Sequence, residues 1–169
     1  MNADDEPGFD PARILRSLSD HGVRFVLIGG WAAKLQGSPT VTADIGISYD
    51  RARGNLDRLA CALSAFDVRL RDVPDDLPFV LDARVLHGGD SFTLTSSVGD
   101  IDLIASPAGV TSFDELFSHA DTLELDEMRI QVASIHDLIV MKTAAGRPKD
   151  LVEVEILTAL AEEIGHKPG

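Results

Sequence analysis

The chain has 169 residues, 44% of them hydrophobic and 25% charged, with a formal net charge of −13. That length suits a single domain over 1–169 with a sizeable core, and so acidic a chain is repelled by a nucleic-acid backbone, which excludes bulk DNA binding. No apolar run approaches a membrane span and the start Met1-Asn-Ala-Asp-Asp-Glu-Pro7 is acidic, so a cytoplasmic protein with no membrane contact is expected. The lone Cys61 has no internal disulfide partner, and within its helical pattern it reads as a packed core residue.

Asp10-Pro11 forms a helix start, a capping acid followed by proline at the first helical position, and Ile14, Leu15 and Leu18 recur at helical spacing until Gly22. Arg24 to Ile28 is a short apolar run that reads as a central strand. Gly29-Gly30 turns it, Trp31 to Gln36 make about two helical turns, and Thr40 to Ser48 form the next strand. A third helix begins near Asp50 and carries Leu56, Leu59, Ala60 and Leu63 on one face.

Asp67 to Arg71 alternates as a strand, and Asp72 to Pro78 is a loop. Strands are expected at Val80 to Leu86 and Ser91 to Ser96, joined by a His87-Gly-Gly-Asp90 turn. Val98 to Ile104 is a further strand, with Ile101 and Leu103 on one face and Asp100 and Asp102 on the other. Ser112 to His119 reads as a helix, Met128 to Val132 as a strand, and Ser134 opens another helix that carries Lys142. Gly146-Arg-Pro-Lys149 interrupts it, and Asp150 to Ile164 is a last amphipathic helix. Residues 1–9 and 166–169 are expected to fray.

The chemistry gathers at the glycine turn. Glycines at a strand-to-helix junction let backbone come close to a ligand and aim N–H groups and the helix dipole at an anion. A carboxylate on the neighbouring strand, Asp44, is placed to hold Mg²⁺, a hard ion bound through one or two carboxylates plus substrate phosphates. Asp100 and Asp102 form a second acidic strand. Without the glycine turn and Asp44, these two acids read as a solvated sheet face.

Ile28-Gly-Gly-Trp-Ala-Ala-Lys-Leu-Gln-Gly37 followed by Thr42-Ala-Asp-Ile-Gly-Ile47 resembles the nucleotidyltransferase superfamily signature: a Gly-Gly turn and helix, a strand bearing Asp-x-Asp, and a third Asp on a later strand. Gly99-Asp-Ile-Asp-Leu-Ile104 is similar to that third-acid strand. Met141-Lys-Thr-Ala-Ala-Gly-Arg-Pro-Lys-Asp150 resembles the Lys…Gly-Arg-x-Lys-Asp segment of the AbiEii-type branch, which includes toxins of toxin–antitoxin pairs. A more distant likeness is to lincosamide-type small-molecule nucleotidyltransferases. The resemblance covers nearly the whole chain.

It implies an α/β (α+β) fold of the polymerase-beta-like type, a mixed central sheet flanked by helices. It further implies transfer of a nucleoside monophosphate from an NTP to an acceptor hydroxyl on an RNA end such as that of tRNA, a protein or a small molecule, with a cognate antitoxin as a partner in the toxin case. The resemblance makes Gly29, Gly30 and Trp31 the phosphate-binding turn, and Asp44, Asp102 and Lys142 the catalytic set. Asp44, Asp102 and Asp100 become the ligands of two Mg²⁺; Lys142, Arg147 and Lys149 meet phosphate charge, with Asp150 orienting either Lys149 or Arg147. Without the resemblance, that basic group reads as a solvated helix junction.

The family pattern has Asp where this chain has Gly46. Residues 44 and 46 project on the same face of a strand, which is what lets two acids clamp metal. Three readings stand: a silenced enzyme that Gly46→Asp would reactivate, a relic that binds nucleotide or a partner without turnover, or a working variant in which Gly46 permits close approach. The sequence around Gly46 gives no backbone reason for glycine.

Overall fold

A computed structural model describes residues 8–166. In chain order the elements are α1 (Pro11–Asp20), β1 (Phe25–Ile28), α2 (Gly29–Leu35), β2 (Asp44–Tyr49), α3 (Arg53–Leu63), β3 (Arg69–Leu70), α4 (Ala83–Gly88) and β4 (Ser91–Thr95). They continue with β5 (Asp100–Ile104), α5 (Phe113–His119), β6 (Asp121–Leu125), β7 (Met128–Val132), α6 (Ile135–Ala145) and α7 (Pro148–His166). The proposed frayed ends, 1–9 and 166–169, lie largely outside the described residues.

The seven strands form one mixed sheet in the order β3-β4-β5-β2-β1-β7-β6. β1 runs antiparallel to β2 and parallel to β7, and β2 runs parallel to β5. This is the α/β class expected. The centre reads as it should from burial. All four β1 residues are buried, and Ile45, Ile47, Ile101 and Leu103 from β2 and β5 are fully buried on the core face. The opposite parity of the same strands holds Asp44, Gly46, Asp100 and Asp102, which stay partly solvated. Ile14, Leu15 and Leu18 of α1 close the core together with Leu56, Leu59 and Leu63 of α3.

Local chemistry explains several ends. Asp10 caps α1 ahead of Pro11, Ser112 caps α5, and Ser134 caps α6 by accepting the Asp137 amide. Gly146 ends α6 at φ +67°, and α7 starts at once from Pro148.

Three expectations need correction. The strand proposed for Val80 to Leu86 is instead a loop and α4: Asp82 accepts the Val85 amide as a helix cap, so the apolar residues are spaced along a turn of helix. A short apolar run does not distinguish the two. Cys61 is exposed rather than packed, because α3 turns Leu59, Ala62 and Leu63 inward. β6 was not anticipated. Its Asp-Thr-Leu-Glu-Leu sequence edges the sheet, and the hairpin to β7 turns on Asp126 and Glu127, both at positive φ (46° and 68°) without glycine.

Candidate active site

β1 delivers the chain to the sheet end where β2 begins, with Ile28 paired to Gly46. The turn into α2 then folds back tightly over β2. Gly29 sits at φ +75°, a conformation that favours glycine. A Cβ on Gly30 would fall 2.8 Å from the Thr42 Cβ, and one on Gly46 would fall 3.1 Å from the Ile28 carbonyl oxygen. A side chain at 46 fits only if Ile28 gives by a few tenths of an ångström, a constraint that the sequence around Gly46 does not show. Only packing across strands could reveal it.

Thr42 links turn to strand: its hydroxyl donates to Asp44 Oδ1 at 2.7 Å. The parallel register of β2 and β5 sets Asp44 beside Asp100 and Gly46 beside Asp102. Asp44 and Asp102 both face one cleft of about 710 Å³, with Gly29, Gly30 and Gly46 at its base. That volume is in the range of small-molecule sites. The Asp102 carboxyl is pushed above the usual carboxylate range by burial; Arg71 opposes the shift, and the hydrogen bond and charge of neighbouring Asp44 add to it.

The far wall of the cleft comes from the α6–α7 junction. Lys142 Nζ lies 2.9 Å from Glu153 and 3.5 Å from Asp150. Asp150 is buried at the first turn of α7, where it accepts from Arg147 Nε at 2.6 Å and from the Arg147 amide at 3.2 Å. The Arg147 hydrogen bond holds the Asp150 carboxyl below its ordinary range against the opposing effect of burial, and Lys142 assists. Asp150 therefore orients Arg147, as expected. Lys149 is exposed on the cleft wall and, among the described residues, forms no ion pair.

Two proposed site residues lie elsewhere. Trp31 does not line the cleft; its ring packs tilted on Phe9 at 6.0 Å, beneath the Lys34 ammonium at 4.8 Å. Asp100 shares the face of Asp102 but is outside the cleft lining, its carboxylate 3.4 Å from Arg71 Nε.

Arg71 itself escaped the sequence reading. Just past β3, its Nη2 donates to the Leu94 carbonyl at 2.8 Å and to Asp102 Oδ1 at 3.2 Å. The alternation Asp67-Val-Arg-Leu-Arg71 was visible, but the neighbour of that strand was not. Among the described residues no group of three or more His, Cys, Asp or Glu is arranged to hold a metal. A second hollow of about 740 Å³, with Arg51, Arg53, Arg84 and His87 in its wall, contains neither the glycine turn nor the paired acids. Chemistry, not volume, selects the cleft.

The architecture is shared with solved structures. Superposition on the lincosamide antibiotic adenylyltransferase LnuA, solved with lincomycin bound, gives a TM-score of 0.59 at 12% identity, over 90% of this chain and 99% of that one. TM1012 of Thermotoga maritima, assigned as a nucleotidyltransferase, gives 0.52 at 17% identity over 93% and 91%. The fold is that of the nucleotidyltransferases. The antibiotic-resistance factor ANT(2'')-Ia shares it, with a TM-score of 0.50 at 15% identity over 91% and 82%. No family model matches the sequence, and no curated protein matches it significantly. At such identities the nucleotidyltransferase fold is what the likeness establishes, and activity has to be argued from the cleft.

Proposed function

We propose that the chain transfers a nucleoside monophosphate from an NTP to the hydroxyl of a small-molecule acceptor. The observation that carries this reading is the cleft: Asp102, desolvated beside Asp44, faces a wall bearing Lys142, Arg147 and Lys149 across a glycine floor. The Gly29–Gly30 backbone lets a triphosphate lie close. The acceptor oxygen bonds to the α-phosphorus, its proton passes to the Asp102 carboxylate, and the bond from the α-phosphorus to pyrophosphate breaks. Burial raises the proton affinity of Asp102, which suits it to the role of base. The leaving pyrophosphate moves toward the basic wall.

The fold family implies Mg²⁺ on the acids. With glycine at 46 and Asp100 outside the cleft lining, Asp44 and Asp102 are the carboxylates left. They fit one ion that arrives on the triphosphate and neutralises its charge, but not a pair.

A small hydroxylated acceptor is supported by the likeness to LnuA and by the net charge of −13, which disfavours a large RNA footprint. Transfer to a tRNA end or a protein, with a cognate antitoxin, is the toxin version of the same chemistry. A second reading, a nucleotide-binding protein without turnover, is favoured by Gly46. Incubation of the protein with α-labelled NTPs and separate pools of antibiotics, tRNA and protein distinguishes them. Label on a small molecule bears out the proposal, label on RNA or protein moves it to the toxin version, and calorimetric NTP binding without label transfer establishes the second reading.

A further inference from the structure

Two-metal phosphoryl chemistry needs several carboxylates free to turn their oxygens on divalent ions. In this chain an arginine already occupies that charge. The Arg71 guanidinium donates from Nη2 to the Leu94 carbonyl at 2.8 Å and to Asp102 Oδ1 at 3.2 Å, and its Nε stands in an ion pair 3.4 Å from Asp100 Oδ2 without a hydrogen bond. The backbone beneath it is pinned, because the Arg71 amide donates to the Thr93 carbonyl at 2.9 Å, and Thr93 is the β4 register partner of Asp102. The head group is therefore built into the strand pair that carries the acid. Its side chain is 24% exposed and faces the cleft. On the other side of Asp102, the position that would supply a second ligand is Gly46, where a Cβ would press on the Ile28 carbonyl oxygen at 3.1 Å.

We propose that Arg71 is the resident cation of this site and takes the charge role that a second divalent ion has in two-metal chemistry. The planar guanidinium presents a fork of donors that matches carboxylate and phosphate oxygens. Held against Asp102, it supplies fixed positive charge to a phosphate entering the cleft and disfavours a divalent ion on that carboxylate unless the ion arrives with the charge of a triphosphate. Gly46 and Arg71 are then two parts of one arrangement: the β2 position beside Asp102 carries no ligand, and the residue that follows β3 brings a cation to the same acid. This rests on the reading of the cleft as an NTP site, but metal uptake by the free protein can be measured independently of that reading.

The test is Mn²⁺ titration of the full chain, followed by the electron paramagnetic resonance signal of the free ion. Wild-type protein without nucleotide is expected to take up no Mn²⁺ at millimolar concentration, whereas Arg71→Gln takes up one ion per chain and loses it again when Asp102→Asn is added. Stoichiometric uptake by the wild type overturns the proposal, as does an Arg71→Gln protein with a wild-type circular dichroism spectrum that still binds none. A second arm uses wild-type protein even if the variant does not fold. Chelating Mg²⁺ with EDTA weakens the affinity for an NTP less than about tenfold in the wild type and more than about a hundredfold in Arg71→Gln. A wild type that loses NTP binding in EDTA also overturns the proposal. No NTP binding with or without Mg²⁺ overturns the NTP reading instead and leaves the Mn²⁺ uptake to decide the role of Arg71.

Discussion

Gly30 and Thr42 fit each other so closely that a methyl group on the glycine would stand 2.8 Å from the threonine Cβ and 2.9 Å from its hydroxyl. The same hydroxyl donates to Asp44 at 2.7 Å. The start of α2 and the acid of β2 are thus held by one side chain, so the glycine floor and the carboxylate keep a fixed relation. Gly30→Ala is expected to cost about 1–3 kcal/mol, the usual penalty of overpacking. Thr42→Gly in that background recovers part of the loss, and urea melts of the single and double variants measure it. A Gly30→Ala protein as stable as the wild type would show that the two segments do not pack this way.

Asp102 is the cleft carboxylate whose proton affinity is raised, with burial as the first cause. Asp102→Asn keeps the shape and an acceptor for Arg71 but removes the base. Transfer is expected to fall about a hundredfold or more, with NTP affinity changed far less. Single-turnover rates and equilibrium binding separate the two. Equal losses in both would make Asp102 a binding residue.

Gly46 admits a direct experiment. Taken alone, the sequence presents Gly46→Asp as a repair of a lost metal ligand. The structure gives the opposite expectation. A Cβ there lies 3.1 Å from the Ile28 carbonyl and 3.2 Å from the Ile28 Cγ1, so β1 or the turn must give way. With Arg71 already shared by Asp100 and Asp102, the added carboxylate also meets like charge. Gly46→Asp is expected to lower stability by about 1–2 kcal/mol without raising transfer. Thermal melting and the labelled-NTP assay read both. A rise in transfer by orders of magnitude would return Gly46 to the status of a missing ligand.

Much of this site was legible because its parts are local. A glycine pair after an apolar run, an acid at strand parity and a Gly-Arg-Pro-Lys-Asp junction all declare themselves within about ten residues, where turn chemistry and side-chain period act. Arg71 and the reason for Gly46 were not legible. Both depend on which strands lie side by side, and the sheet order β3-β4-β5-β2-β1 brings residue 71 to residue 102 and residue 28 to residue 46 through pairings that no local pattern encodes. Trp31 failed for a related reason. A helix start shows which residues are near the turn but not which side of the helix Phe9 covers. The likeness in motif named glycines and an acid, Asp44, that line one cleft, and left out the arginine beside them.

Asp150 joins α6 to α7 and titrates in a readable direction. Its carboxylate, with 1% of its side chain exposed, is bound by Arg147 and Lys142. The Arg147 hydrogen bond is the first cause of its lowered pKa. A carboxyl held below its unfolded value, about 3.9, contributes stability that is present above that value and is lost as the pH falls through the folded one. Asp150→Asn should therefore destabilise the protein at neutral pH. Breaking one side of a buried pair costs about 3–5 kcal/mol, and because Arg147 is 60% exposed a cost of about 1–3 kcal/mol is expected here. The difference between wild type and variant should shrink as the pH is lowered below about 4, where the unfolded chain takes up the proton that the folded carboxyl still refuses, and it is lost once the pH falls through the folded value. Urea melts at neutral pH and at about pH 3 provide the comparison. If the acid limb of the stability curve is the same in both proteins, the charge on Asp150 does not hold the α6–α7 wall, and Arg147 must be placed in the cleft by other contacts.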